Sequence, residues 1–503
     1  SGLPYGLTAR IPAPAYFNMP ATSAGALPLL ISQTGVFTNT PNLNTAGALI
    51  PYDVNSPLWS DAALKSRWFV VPNNGTAYTP DEQIGFATNG DWSFPAGTVF
   101  VKHFELVTNE LTGAKRRLET RLLVRDAIGA VYGVTYKWRA DNSDADLLAT
   151  SLSEDISITN ASGVRTQTWY YPSPADCLTC HTPQAGYVLG VNTRQLNGNV
   201  TYPATGNSDN QLRTLNRLGL LNPAFNETNI SGYAKMFSLT NTGASLELRS
   251  RSYLDANCAQ CHRPGGQGIT FDARFDTPLA SQNIVGTLAS SSLGIDNAHV
   301  VQPKDIWRSV LHIRMNTATN AYKMPPLARS LIDSNAVQIV GDWINSLSGT
   351  PALAPPSITP NGGTFTALAN VTLAAPNTNS IIYFTFDNSL PTTNSFLYAT
   401  PLSLTSNLTL TASAFATGYV NSATASALFT IQPMQFTTLG FATNGEFQLN
   451  FLGVPGQTYV LQGSSNLVNW VPLNTNVAAT NLFQFTDPGA GGLPHRFYRV
   501  FKP

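Results

Sequence analysis

Two short segments of this chain carry residue types whose spacing implies chemistry: Cys177-Leu-Thr-Cys180-His181 and Cys258-Ala-Gln-Cys261-His262. C-x-x-C-H is the attachment sequence of a covalent c-type haem. Two thiols add across the porphyrin vinyl groups, and the adjacent histidine is placed to take the iron from one side. The expected set is therefore two covalently attached haem c groups, held by Cys177, Cys180, Cys258 and Cys261, with His181 and His262 on the irons. The competing explanation is a chance match or a redox dithiol. Two complete copies in one chain argue against it.

The elements around the second copy fit a small helical module. Ser245-Leu-Glu-Leu-Arg-Ser-Arg-Ser-Tyr-Leu254 predicts an entry helix with Ser245 as its cap and Leu246, Leu248 and Leu254 among its apolar positions. A Gly-rich turn, Arg263–Gly268, follows the motif. The segment Asp333–Leu347 places Ala336, Val337, Ile339, Val340, Trp343, Ile344 and Leu347 on a helical stripe. Residues 245–347, closing on Met324-Pro325-Pro326-Leu327, resemble the class I cytochrome c family. The resemblance implies an all-α module in which Met324 supplies the sixth iron ligand. A His/Met pair suits electron transfer at raised potential. The plainer reading of Met324 is core packing.

The chain of 503 residues is long enough for three to five domains. Its 28 basic and 28 acidic residues cancel, which gives no reason to expect nucleic acid or an acidic membrane surface as partner. Only 11% of residues are charged, against about 25% in ordinary soluble proteins. Asn, Thr, Ser, Gly and Pro take their place, a composition that suits secreted β-structure. All four cysteines lie in the two motifs. Haem attachment of this kind takes place outside the cytoplasm, so an exported protein is expected, periplasmic, cell-surface or extracellular. The chain opens without a basic and apolar leader, and the expectation is that an export signal has been removed. It contains no 18-residue apolar run, so no transmembrane segment is expected.

Residues 1–50, rich in Pro, Ala, Gly and Thr, read as an extended N-terminal arm lying on other domains, or as a linker. In 51–243 a β-rich domain with the first haem is expected. Thr98–Val107, Leu118–Arg125 and Val131–Trp138 read as strands of an antiparallel meander, linked by turn formers at 109–115 and 126–130. Ser60–Phe69 reads either as a short helix or as irregular. Between the motifs, Gln211–Gly219 predicts a short amphipathic helix with Leu212, Leu215 and Leu218 on one face and Gly219 as a stop, packing against a haem edge or bridging the haem modules.

A β-meander running into Cys177–His181, with the Gly-Thr-Val-Phe-Val-Lys strand and the Ala185-Gly-Tyr-Val188 run, resembles the lysine-cross-linked c-haem cytochromes and their cytochrome c′-beta relatives. In the cross-linked members a strand lysine bonds the porphyrin, and Lys102 is the residue here that matches. A solvent-facing or carboxylate-paired lysine is the plainer reading. The candidates for the first iron's sixth ligand are Met236 and His103. His299 and His312 lie inside the second module and are weaker ones. An empty sixth position is the remaining alternative. Strand alternation puts His103 with Val99, Val101 and Glu105, and Lys102 with Phe100, Phe104 and Leu106; both faces are apolar enough to be buried.

A larger block, 57–347, resembles an uncharacterised family of secreted bacterial di-haem c-type cytochromes. The resemblance rests on Pro57-Leu-Trp-Ser-Asp61, Arg117-Leu-Glu-Thr-Arg121, Asp176–His181, Arg251–Cys258 and Met324–Leu327. It implies a redox partner such as a quinoprotein dehydrogenase or another cytochrome. The cytochrome c domain is expected over 244–349, followed by a Pro-rich linker at 350–356. Residues 357–432, through Ile381–Thr392 and Leu408–Ala416, resemble the small β-sandwich of chitobiase-type enzymes. Residues 433–503, through Gly456–Gln462, Ser465–Trp470 and Phe497–Arg499, resemble another β-sandwich of large secreted bacterial proteins.

The expected fold class is thus multidomain: a β-meander haem module and an all-α class I cytochrome c module, followed by two all-β sandwiches. The expected function is electron transfer between extracytoplasmic redox partners. One alternative is a haem enzyme that reduces peroxide or oxidises a small nitrogen compound at an open first haem, with the second haem as relay. Another is a homo-oligomer or filament forming a surface cytochrome assembly.

Overall fold

The computed structural model describes residues 2–268, 270–319 and 321–503. The chain divides into two compact units, one of residues 1–293 with 297–348, the other of 294–296 with 349–503.

The first unit is built on one large sheet. Its strands run in the spatial order Gly163–Tyr171, Leu152–Asn160, Val99–Asn109, Ala114–Arg125, Val131–Trp138, Ala145–Leu148, with Leu64–Val70 also paired to Val99–Asn109. The three expected meander strands are present, and acceptors from Asn109 and Asp126 close their two turns. The segment 60–69, left open between helix and irregular, is largely the Leu64–Val70 strand. Asp61 and Ala62 before it have φ of 48° and 63°, and no helix continues through that reversal. The Leu152–Tyr171 hairpin has no counterpart among the expected strands.

Both faces of the sheet are covered. On one, Val99, Val101, Leu122, Val124, Val134, Tyr136 and Trp138 pack with Ala13, Met19, Ile31, Val36, Phe37 and Leu49. The first fifty residues are therefore part of the core, and the linker alternative for them is corrected. On the other face, Phe69 and Phe100 meet Val188, Val191, Leu196 and the Gln211–Arg217 helix through Leu212, Leu215 and Leu218. That helix completes the core behind the strands and lines neither of the cavities described below.

Residues 244–348 belong to the same unit. The helix Leu246–Cys258 starts on Ser245, whose side chain accepts from the Leu248 amide. The helix Ser334–Ser346 starts on Asp333 in the same manner. Tyr253 and Leu254 of the first pack with Ala336, Val340, Trp343 and Ile344 of the second. A shorter helix, Val310–Met315, joins them, and the intervening chain is turns and isolated bridges.

The second unit is all β. Residues 357–432 form a three-stranded and a five-stranded sheet around Val371, Leu373, Phe384, Leu410 and Phe429. Residues 435–501 form two three-stranded sheets around Leu449, Tyr459, Leu461 and Phe485. The protein is thus multidomain, with β-sandwich modules at its C-terminal end. Among the described residues no helix is long and apolar enough to cross a membrane.

Each unit has cores of its own, so each is expected to unfold as its own cooperative event. Calorimetry of the full chain should show more than one transition. A chain ending at residue 348 should retain the transition of the first unit at unchanged temperature.

Candidate functional site

The first C-x-x-C-H segment closes the short helix Pro174–Cys180. Ser173 and Asp176 cap its start reciprocally: Ser173 accepts from the Asp176 amide, and the Asp176 carboxylate accepts from the Ser173 amide. The helix lies on the sheet because residue 133 on the neighbouring strand is glycine. A Cβ there would stand 2.7 Å from Cβ and Sγ of Cys177. His181 follows, and its Nδ1 donates to the Tyr187 carbonyl at 2.6 Å. A carbonyl only accepts, so the proton sits on Nδ1 and the Nε2 lone pair is bare, the tautomer an axial ligand needs. Burial pushes the His181 pKa down to about 4, which keeps the ring neutral.

Cys177, Cys180 and His181 line a cavity of about 280 Å³. Its sheet wall carries a row of cations in register across three strands: Arg67 opposite Lys102, and Lys102 opposite Arg121. Arg67 is paired with Asp53 at 2.7 Å and Arg121 with Glu119 at 2.5 Å. Lys102 has no hydrogen bond or ion pair among the described residues. Burial, reinforced by Arg67, Lys65 and Arg121, holds its pKa well below the usual lysine value.

The other first-site candidates lie elsewhere. His103 points to the opposite face, where its Nδ1 meets the Thr120 hydroxyl at 2.8 Å and its ring stands edge-on to Trp138 at 5.5 Å. Met236 is fully buried, and its backbone amide donates to the Arg194 carbonyl. Neither lines the cavity, so the structure does not bring them to His181. Among the described residues, His181 is the one imidazole or thioether donor on that wall.

The second segment ends the Leu246–Cys258 helix. Cys258, His262 and Met324 line one cavity of about 350 Å³, together with Tyr253, Phe271, Leu311 and Met315. The His262 ring stacks on Phe271 at 4.2 Å, and Gly268 lies so close that a Cβ there would be 2.5 Å from Nδ1. That buried Nδ1 has no hydrogen-bond partner among the described residues. His299 and His312 stay outside this cavity: His299 Nδ1 meets the Asn297 carbonyl, and His312 packs on Gly341.

The two cavities adjoin. Gln267, Pro325 and Arg329 line both, and Cys261 faces the first one beside Cys180. The tails of the two motifs are tied directly, since Arg263 donates to the Gln184 carbonyl at 2.8 Å and to Asp91 at 2.7 Å. Arg194 extends this network to Asp255 at 2.9 Å and Asp276 at 2.9 Å. Sequence reading missed Arg194, Asp255 and Arg329, because a charged residue gives no sign of its partner until the fold brings the two together. The available signal was proximity: Asp255 precedes Cys258 by three positions, and Arg329 follows Met324 by five.

Burial pushes the Cys180 thiol up to about 11 and the Cys258 thiol to about 12. A thiol held protonated is a poor redox nucleophile. Among the described residues there is no cluster of three His, Cys, Asp or Glu side chains of the kind that holds a bare metal ion. The paired thiols Cys177 and Cys180 beside the His181 imidazole fit a covalently attached porphyrin in the first cavity; the second offers Cys258, His262 and Met324, with Cys261 on the wall of the first.

In comparison with known families, residues 360–426 match the chitobiase/beta-hexosaminidase C-terminal domain. That stretch belongs to the second unit, away from both cavities in sequence. Comparison with curated proteins gives no match. Among solved structures, a chain described as "Cytokine receptor complex - Crystal form 2" aligns over 29% of this chain and 86% of its own, at 14% identity and a TM-score of 0.13. A score that low carries no argument.

Replacing Gly133 with alanine is expected to push the Pro174–Cys180 helix off the sheet, lowering the melting temperature and disturbing the first cavity, while the larger Gly133→Val should abolish that packing. Circular dichroism melts and the absorbance of the purified protein would show this. His103 provides a pH test. Burial, with Arg117 adding to it, lowers its pKa from 6.5 to about 3, so the unfolded chain takes up a proton that the folded one refuses. Stability should therefore fall as pH drops from about 6.5 towards 3, and His103→Gln should flatten that part of the profile.

Proposed function

We propose that this chain is an exported di-haem c-type cytochrome that takes electrons from one extracytoplasmic redox partner and hands them to another. The observation that carries the reading is the pair of adjoining cavities, one walled by Cys177, Cys180 and His181, the other by Cys258, His262 and Met324. When bound, haem supplies a one-electron carrier whose potential is set by its axial ligands and the charge around it.

In this reading Cys177 and Cys180 hold one porphyrin, and Cys258 and Cys261 the other. His181 and His262 present imidazole nitrogen to the irons. In the second cavity Met324 offers its thioether, completing a His/Met pair and an all-α class I cytochrome c module. The Arg263–Gln184 bond keeps the two motifs adjacent, and the shared Gln267, Pro325 and Arg329 leave little protein between the sites. Arg67 and Arg121 beside the first site are each paired with a carboxylate, and burial holds Lys102 towards its neutral form, so the charge on that wall is largely balanced. A quinoprotein dehydrogenase or a second cytochrome is the class of partner that would supply or accept the electrons. The sandwiches at 357–432 and 433–503 act as spacers or surface anchors.

A second reading is favoured by one observation, the lack of a second imidazole or of a thioether on the first cavity wall among the described residues. An open first iron would suit a haem enzyme acting on peroxide or a small nitrogen compound. Lys102 stands on that wall and is the residue through which a covalent link to the porphyrin would form.

A pyridine haemochrome assay is expected to count two haems per chain. Cys177→Ala with Cys180→Ala, or Cys258→Ala with Cys261→Ala, should each lower the count to one. A parent chain without covalent haem would overturn the proposal. Carbon monoxide separates the two readings: no shift of the ferrous Soret band supports the carrier, and a shift of half the band supports the enzyme. Met324→Ala should lower the potential of one haem and open it to carbon monoxide.

A further inference from the structure

Among its described residues, the segment that carries Met324 has no helix or strand between the Val310–Met315 helix and Ser334. A thioether is a weak donor, so its bond to an iron holds only if the loop is fixed where the sulfur points. Two sets of contacts fix it. One is internal: the buried Arg329 guanidinium donates to the carbonyls of Arg314, Met315, Thr317 and Met324, and Lys323 donates to the Arg329 carbonyl at 2.6 Å.

The other set comes from the sheet domain. The Asp61 carboxylate accepts from the Ser330 amide at 2.9 Å, the Ser330 hydroxyl at 2.7 Å and the Leu331 amide at 2.8 Å. Trp59 Nε1 donates to the Leu331 carbonyl at 3.2 Å, and the Ser330 hydroxyl also reaches the Thr168 carbonyl at 2.6 Å. Asp61 is itself held. It is 3% exposed, its carbonyl accepts from Gln167 at 2.8 Å, and its left-handed backbone turns the carboxylate towards the loop. Among the described residues no cation forms an ion pair with this carboxylate; two amides and a hydroxyl satisfy it. Leu58, Trp59, Ser60 and Asp61 meanwhile line the first cavity.

We propose that Asp61 is the positioning residue for Met324, a latch by which the domain of the first motif sets the axial ligation of the second iron. The inference rests on reading the second cavity as a haem site. It makes that site incomplete without the sheet domain, although all its own donors lie in 258–324.

The test uses the full chain loaded with haem, with Asp61→Ala, Asp61→Asn and the milder Ser330→Ala compared with Met324→Ala. The haem count should stay at two in each. Asp61→Ala should lower the potential of one haem towards its value in Met324→Ala. It should also raise the fraction of ferrous haem binding carbon monoxide by about half of the total. Asp61→Asn and Ser330→Ala should fall between parent and Asp61→Ala. Adding Asp61→Ala to Met324→Ala should produce no further shift in potential, because the latch acts through the thioether. Lower melting temperatures with the parent's potential and carbon monoxide response would overturn the inference alone. Fewer than two haems in the parent would overturn the functional reading and this inference with it.

Discussion

The arrangement depends on a buried charge network. Arg194, 3% exposed, is enclosed by Asp255, Asp276 and Asp91, and Arg263 joins it through Asp91. Removing a guanidinium from water costs several kcal/mol unless its hydrogen bonds are met in full. Arg194 meets them only when the Leu246–Cys258 helix, which carries Asp255, stands against the domain that carries Arg194 and Asp91. The network therefore does more than add stability. It specifies the one relative placement of the two motif-bearing segments in which the charges are paired, and that placement makes the cavities adjoin.

From it follow the other contacts between the segments. Arg263 reaches the chain just past His181, Trp59 donates its amide to Asn257 at 2.8 Å, and Asp61 reaches the loop after Met324. All of these cross between residues below 195 and residues above 254. A charge pattern of this kind explains how a chain with only 11% charged residues still concentrates guanidiniums at one place. The few charges it has are used where direction matters. Apolar burial around Leu212, Val340 and Phe104 supplies the bulk of the cohesion.

Much of the local structure was legible in the sequence. Ser245 and Asp333 cap the helices predicted to start on them, because a cap is a local bond between a side chain and an amide three residues on. The meander strands and the Leu212, Leu215, Leu218 stripe were legible for the same reason: periodicity is local. The cysteines and histidines of the motifs were legible as a set by spacing alone. What was not legible depends on partners far along the chain. Lys102 and His103 sit on opposite faces of one strand, and alternation could not tell which face meets His181 because both are apolar. The first fifty residues lack periodicity, yet they supply Ile31 and Val36 to a core whose other half lies a hundred residues on. The strand at 64–70 was obscured by the reversal at Asp61 and Ala62, a left-handed turn that no local pattern announces.

The central claim is that both cavities hold covalently attached haem, and intact-mass spectrometry of the purified native protein tests it most directly. The account predicts a denatured chain heavier than its 53.9 kDa polypeptide by two haem groups, each resisting acid and solvent extraction. A denatured chain at the bare polypeptide mass, carrying no attached haem, would contradict it.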